Sequence, residues 1–128
     1  GSAPRGLGYN TRMSQLEHKN FASPDKEMAP PNSSMQVLTV GGKTAIKMTF
    51  QPGWKWSVDI HPDAGPKQCD RHHFGYQMSG VLHTVSTNGD GVEIDSVAGD
   101  IVDLPPGHDA WVVGDEPVVF IDFGSALS

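Results

Sequence analysis

Between Met35 and Phe123, short runs rich in Val, Ile, Thr, Phe and Trp alternate with clusters of Gly, Pro, Asn and Asp. This rhythm constrains the fold more than any other feature of the chain. The runs are too short for amphipathic helices, and parallel strands would need long crossovers between them. An all-β, antiparallel domain is expected, either a sandwich or a barrel. The spacing predicts strands near Met35 to Val40, Lys43 to Gln51, Trp54 to Ile60, Arg71 to Met78, Val81 to Thr87, Val92 to Val97, Ile101 to Leu104, Ala110 to Val113 and Val118 to Phe123. In the third of these, Trp54, Trp56, Val58 and Ile60 alternate with Lys55, Ser57 and Asp59, as on a strand with one side in a core.

The segment Gly1 to Ser34 is different: polar, broken by Pro24, Pro30 and Pro31, and without sustained periodicity. It reads as an N-terminal arm, partly disordered or packing on a partner, with room for one short helix over Ser14 to Asn20. Residues 35–128 form the barrel domain. A chain of 128 residues holds one continuous core.

Charge and cysteine content narrow the partners. The formal net charge is −6, and Asp90, Glu93, Asp95, Asp100, Asp103, Asp109, Asp115 and Glu116 crowd the second half without a basic stripe. Such a surface repels phosphate backbones, so nucleic acid is not an expected partner. Neither is a membrane, since no apolar run approaches the length of a span. Cys69 is the single cysteine, which excludes an intrachain disulfide and makes a reducing, cytoplasmic setting the simpler expectation.

Two stretches carry chemistry. Lys67, Cys69, Arg71 and His73 share one face if the segment is extended, and Gln77 continues that face past Gly75. His108 follows the turn Pro105-Pro106-Gly107 and can approach the same interior. One thiol and two imidazoles suffice for a site with an open position, and this donor set suits zinc, copper or iron better than magnesium or calcium. The competing reading makes Cys69 a buried hydrophobe and the two histidines hydrogen-bonded core residues or a neutral base. His72 points to the opposite face, His83 faces outward, and solvent exposure accounts for His18 and His61. Trp56 and Gln77 are candidate cavity walls, although core packing competes for each tryptophan. No nucleophile elbow, phosphate loop or Cys-x-x-Cys pair is present.

The run Gly99-Asp100-Ile101-Val102-Asp103-Leu104-Pro105-Pro106-Gly107-His108 resembles the second motif of the cupin superfamily. That motif runs glycine, five residues, proline, one residue, glycine, then histidine after two more residues. Here His108 follows Gly107 directly; if the loop is shortened it takes the histidine position, and otherwise Ala110 does. Gly80 is similar to the closing glycine of the first motif. Counting back from it puts His73 at the family's glutamate, Cys69 at its second histidine and Lys67 at its first. The resemblance implies a jelly-roll barrel, or double-stranded β-helix, with a degenerate first motif.

It further implies one divalent transition metal (Zn, Fe, Cu, Ni or Mn) at His73, His108 and Cys69. A small polar organic molecule would be held with help from Lys67, Gln77 and Trp56, and a homodimer is expected. The reaction class stays open among dioxygenase, isomerase and lyase types. So does a metal-free binding or regulatory module built on the same cavity.

Overall fold

The computed structural model describes residues 15–61 and 68–124. In chain order the elements are β1 (Lys26–Met28), β2 (Ser33–Val40), β3 (Lys43–Phe50), a single helical turn α1 (Trp56–Asp59), β4 (His73–Ser79), β5 (Val81–Ser86), β6 (Glu93–Val97), β7 (Ile101–Leu104), β8 (His108–Val113) and β9 (Val118–Asp122). Every pairing between them is antiparallel. A large sheet has the order β1-β2-β3-β9-β4-β7 and a small sheet the order β6-β5-β8.

The core follows from strand parity. Met48 and Phe50 on β3, Val118 and Phe120 on β9, and Val102 and Leu104 on β7 point inward from the large sheet. They meet Leu82 of β5 with Ala110 and Val112 of β8. Trp54 closes one end, its ring stacked on Phe50 at 4.0 Å between centroids.

Gly41 and Gly42 both take positive φ, at 56° and 76°, in the two-residue turn between β2 and β3. That conformation matches the twist of the strands it joins. At Gly75 the demand is steric. A Cβ there would lie 1.8 Å from the Ile121 carbonyl oxygen, so the closeness of β4 to β9 depends on a missing side chain.

Eight of the nine spacing-based strands are present with small shifts at their ends, and the ninth is a correction. Trp54 to Ile60 is not a strand. Only Lys55 pairs, with Trp111, before the chain turns into α1. The Asp59 carboxylate accepts the Lys55 N–H at 2.9 Å, and Asp109 accepts the Ser57 N–H at 3.1 Å. These side-chain acceptors offer the backbone an alternative to a sheet ladder. The alternation of apolar residues was therefore not a record of burial, and Val58 is 63% exposed.

The segment read as an arm also departs from expectation. Lys26–Met28 pairs with β2, and Ser33 and Ser34 already belong to that strand. Residues 15–20 form no helix, and Ser14 lies outside the described residues. Instead Lys19 pairs with Asp25 at 2.9 Å, and Asp25 accepts the Thr39 N–H at 2.9 Å. These contacts stitch the segment to the edge of the large sheet.

Candidate functional site

The site is built where the segment before β4 crosses the start of β8. The Cys69 N–H donates to the His108 carbonyl at 2.7 Å, and the Gly107 N–H donates to the Cys69 carbonyl at 2.7 Å. This two-bond clamp fixes the Cys69 and His108 side chains beside each other. β4 then opens with His73, whose Nε2 lies 3.3 Å from Cys69 Sγ. The His73 and His108 rings meet edge to face, 5.5 Å between centroids. One donor atom from each of Cys69, His73 and His108 lies within 4.8 Å of the others. Cys69 and His108 are buried, at 3% and 6% exposure.

Each ring is oriented through its other nitrogen. His73 Nδ1 meets Asp122 Oδ2 at 2.6 Å, and His108 Nδ1 donates to the Pro105 carbonyl at 2.7 Å. Both Nε2 atoms are thereby left to face the thiol. Asp122 is itself held, since its Oδ1 accepts the Gly124 N–H at 2.7 Å and the Phe74 N–H at 3.2 Å.

The electrostatics follow from these contacts. Burial pushes the Cys69 thiol up, yet hydrogen bonds with His108 and His73 outweigh it and bring the group down to about 6. Burial pushes His73 down, while Asp122 and then Cys69 hold its proton and raise it to about 9. Asp122 is held below the usual carboxylate range, because the His73 contacts and the two N–H donors overcome its burial. The two shifts act in the same sense, each favouring a thiolate beside a protonated imidazole.

The donor set fits a transition metal. Tetrahedral coordination at about 2.0–2.3 Å requires donors roughly 3.3–3.7 Å apart. The Cys69–His73 distance already meets this, and the widest separation within the cluster needs a side-chain shift of only about 1 Å. Imidazoles whose second nitrogen is bonded to a carboxylate or a backbone carbonyl are the usual outer shell of a metal-binding histidine.

Not every expected residue joins this cluster. Gln77 points inward and is taken up by the backbone. It is fully buried, and its amide donates to the carbonyls of Ser96 at 2.9 Å and Gly80 at 3.0 Å, which ties the β4–β5 turn together. Its amide nitrogen acts as a clamp on the backbone. Trp56 is half-buried and packs on the hydrophobic core from α1, not beside the donors. Lys67 lies outside the described residues. His72 is exposed and pairs with Asp103, and His83 is on the outer face of β5 between Asp95 and Glu93, at 2.6 and 2.7 Å. His61 is half-buried, its ring 6.2 Å from that of Trp56, so exposure does not account for it.

Asp122 was the residue that motif reasoning missed. Its signal lay in parity, because it falls on the inward face of β9 after Val118 and Phe120, where an acid is out of place without a partner.

No family model and no curated protein matches the sequence. Solved structures do match. A protein of unknown function from Acidithiobacillus ferrooxidans superposes with a TM-score of 0.57 at 12% identity, covering 91% of this chain and 97% of that one. Lactobacillus farciminis oxalate decarboxylase, crystallised as a formate complex, gives a TM-score of 0.62 at 13% identity; the match covers 88% of this chain and 33% of the decarboxylase. The Halomonas protein KdgF gives 0.53 at 18% identity, covering 77% of this chain and 84% of its own.

The chain has the cupin fold. The match spans about a third of the length of the decarboxylase. Its donor cluster brings His108, and not Ala110, against Cys69 and His73.

Proposed function

We propose that this cupin holds one divalent transition metal at Cys69, His73 and His108, and uses the remaining coordination position to bind and act on a small polar organic molecule. The observation that supports this reading most is the pairing of convergent donors with oriented rings, His73 on Asp122 and His108 on the Pro105 carbonyl. Bound there, an ion would supply Lewis acidity or oxygen activation. The chain's own part is to hold a soft thiolate and two imidazoles in a mostly buried pocket, and to keep the second nitrogen of each ring engaged.

A second reading is favoured by one feature. The chain Cys69–His73–Asp122 is continuous in hydrogen bonds without any ion, as a metal-free thiolate–imidazolium pair in a binding module would be. Elemental analysis of protein purified without added metal, compared with Cys69→Ala, His73→Ala and His108→Ala, separates the two. Near-stoichiometric metal lost in all three variants supports the first reading. A wild-type protein that neither carries an ion nor takes up Zn²⁺ or Co²⁺ rejects it. With Co²⁺, a thiolate charge-transfer band that vanishes in Cys69→Ser would identify the sulfur ligand.

A further inference from the structure

The two sheets leave a cleft where their outer strands face each other, β6 on one side and β7 on the other. Ile94 is the register partner of Thr84 and shares its inward side, yet it is 40% exposed. Val92 beside it is 54% exposed. These side chains border a cavity of about 270 Å³ that reaches inward to Thr84 and ends against His108. At about 30 Å³ per water-sized group, that space admits a molecule of roughly six to nine heavy atoms.

Three features define what would fit. Deep in the cavity the Thr84 hydroxyl is buried and has no hydrogen-bond partner, although the residue is only 4% exposed. A buried hydroxyl normally finds a partner, so this one has its hydrogen-bonding capacity left for a group that the chain itself does not supply. The middle of the cleft is apolar, walled by Val92 and Ile94 opposite Leu104 and Pro105. At the rim stand two carboxylates, Asp90 and Asp103, and among the described residues no Lys or Arg lines the cavity. Asp90 is kept ionised by the Val92 N–H, which lies 2.9 Å from its Oδ1. Asp103 is in contact with His72.

We propose that this cleft is the substrate channel of the site and takes a small organic cation with a short apolar body. Its ammonium group would sit at the Asp90–Asp103 rim, and a hydrogen-bonding group at its far end would meet Thr84. The link to a metal rests on the function proposed above, through the shared His108 wall. The charge preference rests on the cleft alone. A carboxylate ligand would face like charge at the rim, with no Lys or Arg among the described residues that line the way in.

The test compares two probes of one skeleton that differ in the charged end, 4-amino-1-butanol and 4-hydroxybutyrate. Each is titrated into the full chain while methyl NMR signals of Thr84, Val92 and Ile94 are followed, once after chelator treatment and once after Zn²⁺ loading. The amine is expected to give saturable shifts at these methyls, and the carboxylate none. Asp90→Asn should weaken the amine about three- to fivefold, the range of a partly exposed ion pair. Thr84→Val should weaken it about tenfold and at the same time raise Tm, because a near-isosteric methyl replaces an unpaired buried hydroxyl.

Equal or tighter binding of the carboxylate, shifts confined to other methyls, or a Thr84→Val variant with lowered Tm and unchanged binding would overturn the proposal. Cleft shifts in a protein that never takes up metal would reject the metal reading and keep this one. Metal retained without cleft shifts would do the reverse.

Discussion

Replacing Asp122 with asparagine tests the site through one proton. The two carboxylate oxygens have separate tasks: Oδ1 accepts the Gly124 and Phe74 N–H groups, and Oδ2 meets His73 Nδ1 at 2.6 Å. In Asp122→Asn the amide oxygen takes over the backbone donors, because an NH₂ group cannot accept them. The NH₂ is then turned toward His73 Nδ1. A nitrogen facing a donor cannot keep its own proton, so Nδ1 loses its hydrogen and the neutral ring is fixed with its hydrogen on Nε2, the atom that faces Cys69.

That nitrogen can then offer an ion no lone pair unless the ring reorients. Loss of such an orienting carboxylate lowers metal affinity about 10–100-fold, or about 1.4–2.7 kcal/mol. The assay is Zn²⁺ competition against a chromophoric chelator, with far-UV circular dichroism to show that the variant is folded. His83→Gln, on the outer face of β5, serves as the control and should leave the affinity unchanged. A folded Asp122→Asn protein with wild-type Zn²⁺ affinity would refute the assignment of Asp122 as the group that orients His73.

Three further outcomes follow from the packing. Gly75→Ala places a Cβ 1.8 Å from the Ile121 carbonyl oxygen, and both atoms are backbone-fixed. Parting β4 from β9 should cost about 3 kcal/mol and lower Tm by about 10 °C in a thermal melt, and a Tm within about 2 °C of wild type would contradict the geometry. Gln77→Leu leaves the buried Gly80 and Ser96 carbonyls without their side-chain donor. About 2 kcal/mol of stability should disappear, seen as a lower urea midpoint with an unchanged m-value.

His83 has a carboxylate at each ring nitrogen, Asp95 foremost and then Glu93, which raises its pKa from the ordinary 6.5. Because the folded value is the higher one, the stabilisation is complete below about pH 6.5 and is lost as pH rises through the raised value. The Tm gap between wild type and His83→Gln should therefore be larger at pH 6 than at pH 9. A gap that widens with pH would reverse the sign of the coupling.

Much of the barrel could be read from the chain because its strands are bounded by residues with a local mechanism, such as the two positive-φ glycines at 41 and 42. Where tertiary contacts decide, the reading failed. Trp56–Asp59 carries a strand's alternation, but carboxylates from its own turn and from distant Asp109 capture its N–H groups. Lys26–Met28 has no apolar face to betray it, since all three residues are exposed and the pairing comes from β2. In the site, motif spacing pointed to Cys69, His73 and His108, whose donor atoms the fold brings within 4.8 Å of one another. Parity also placed Gln77 inward, but it could not reveal that two carbonyls from the β4–β5 turn and β6 would claim the amide. Asp122 and Thr84 escaped for the opposite reason. What each does depends on neighbours distant in the chain, although parity marks Asp122 as an acid on an inward face.

The anchoring of both imidazoles by Asp122 and the Pro105 carbonyl bears on when this protein would be loaded. In small zinc-dependent domains the ion itself drives the chain to fold, so stripping it unravels them. Here an apolar core and two paired sheets position the donors in advance, and acquisition is separated from folding. Occupancy would then be decided by the surrounding medium, and protein made under metal starvation should be replenished in dilute solution without passing through an unfolded state.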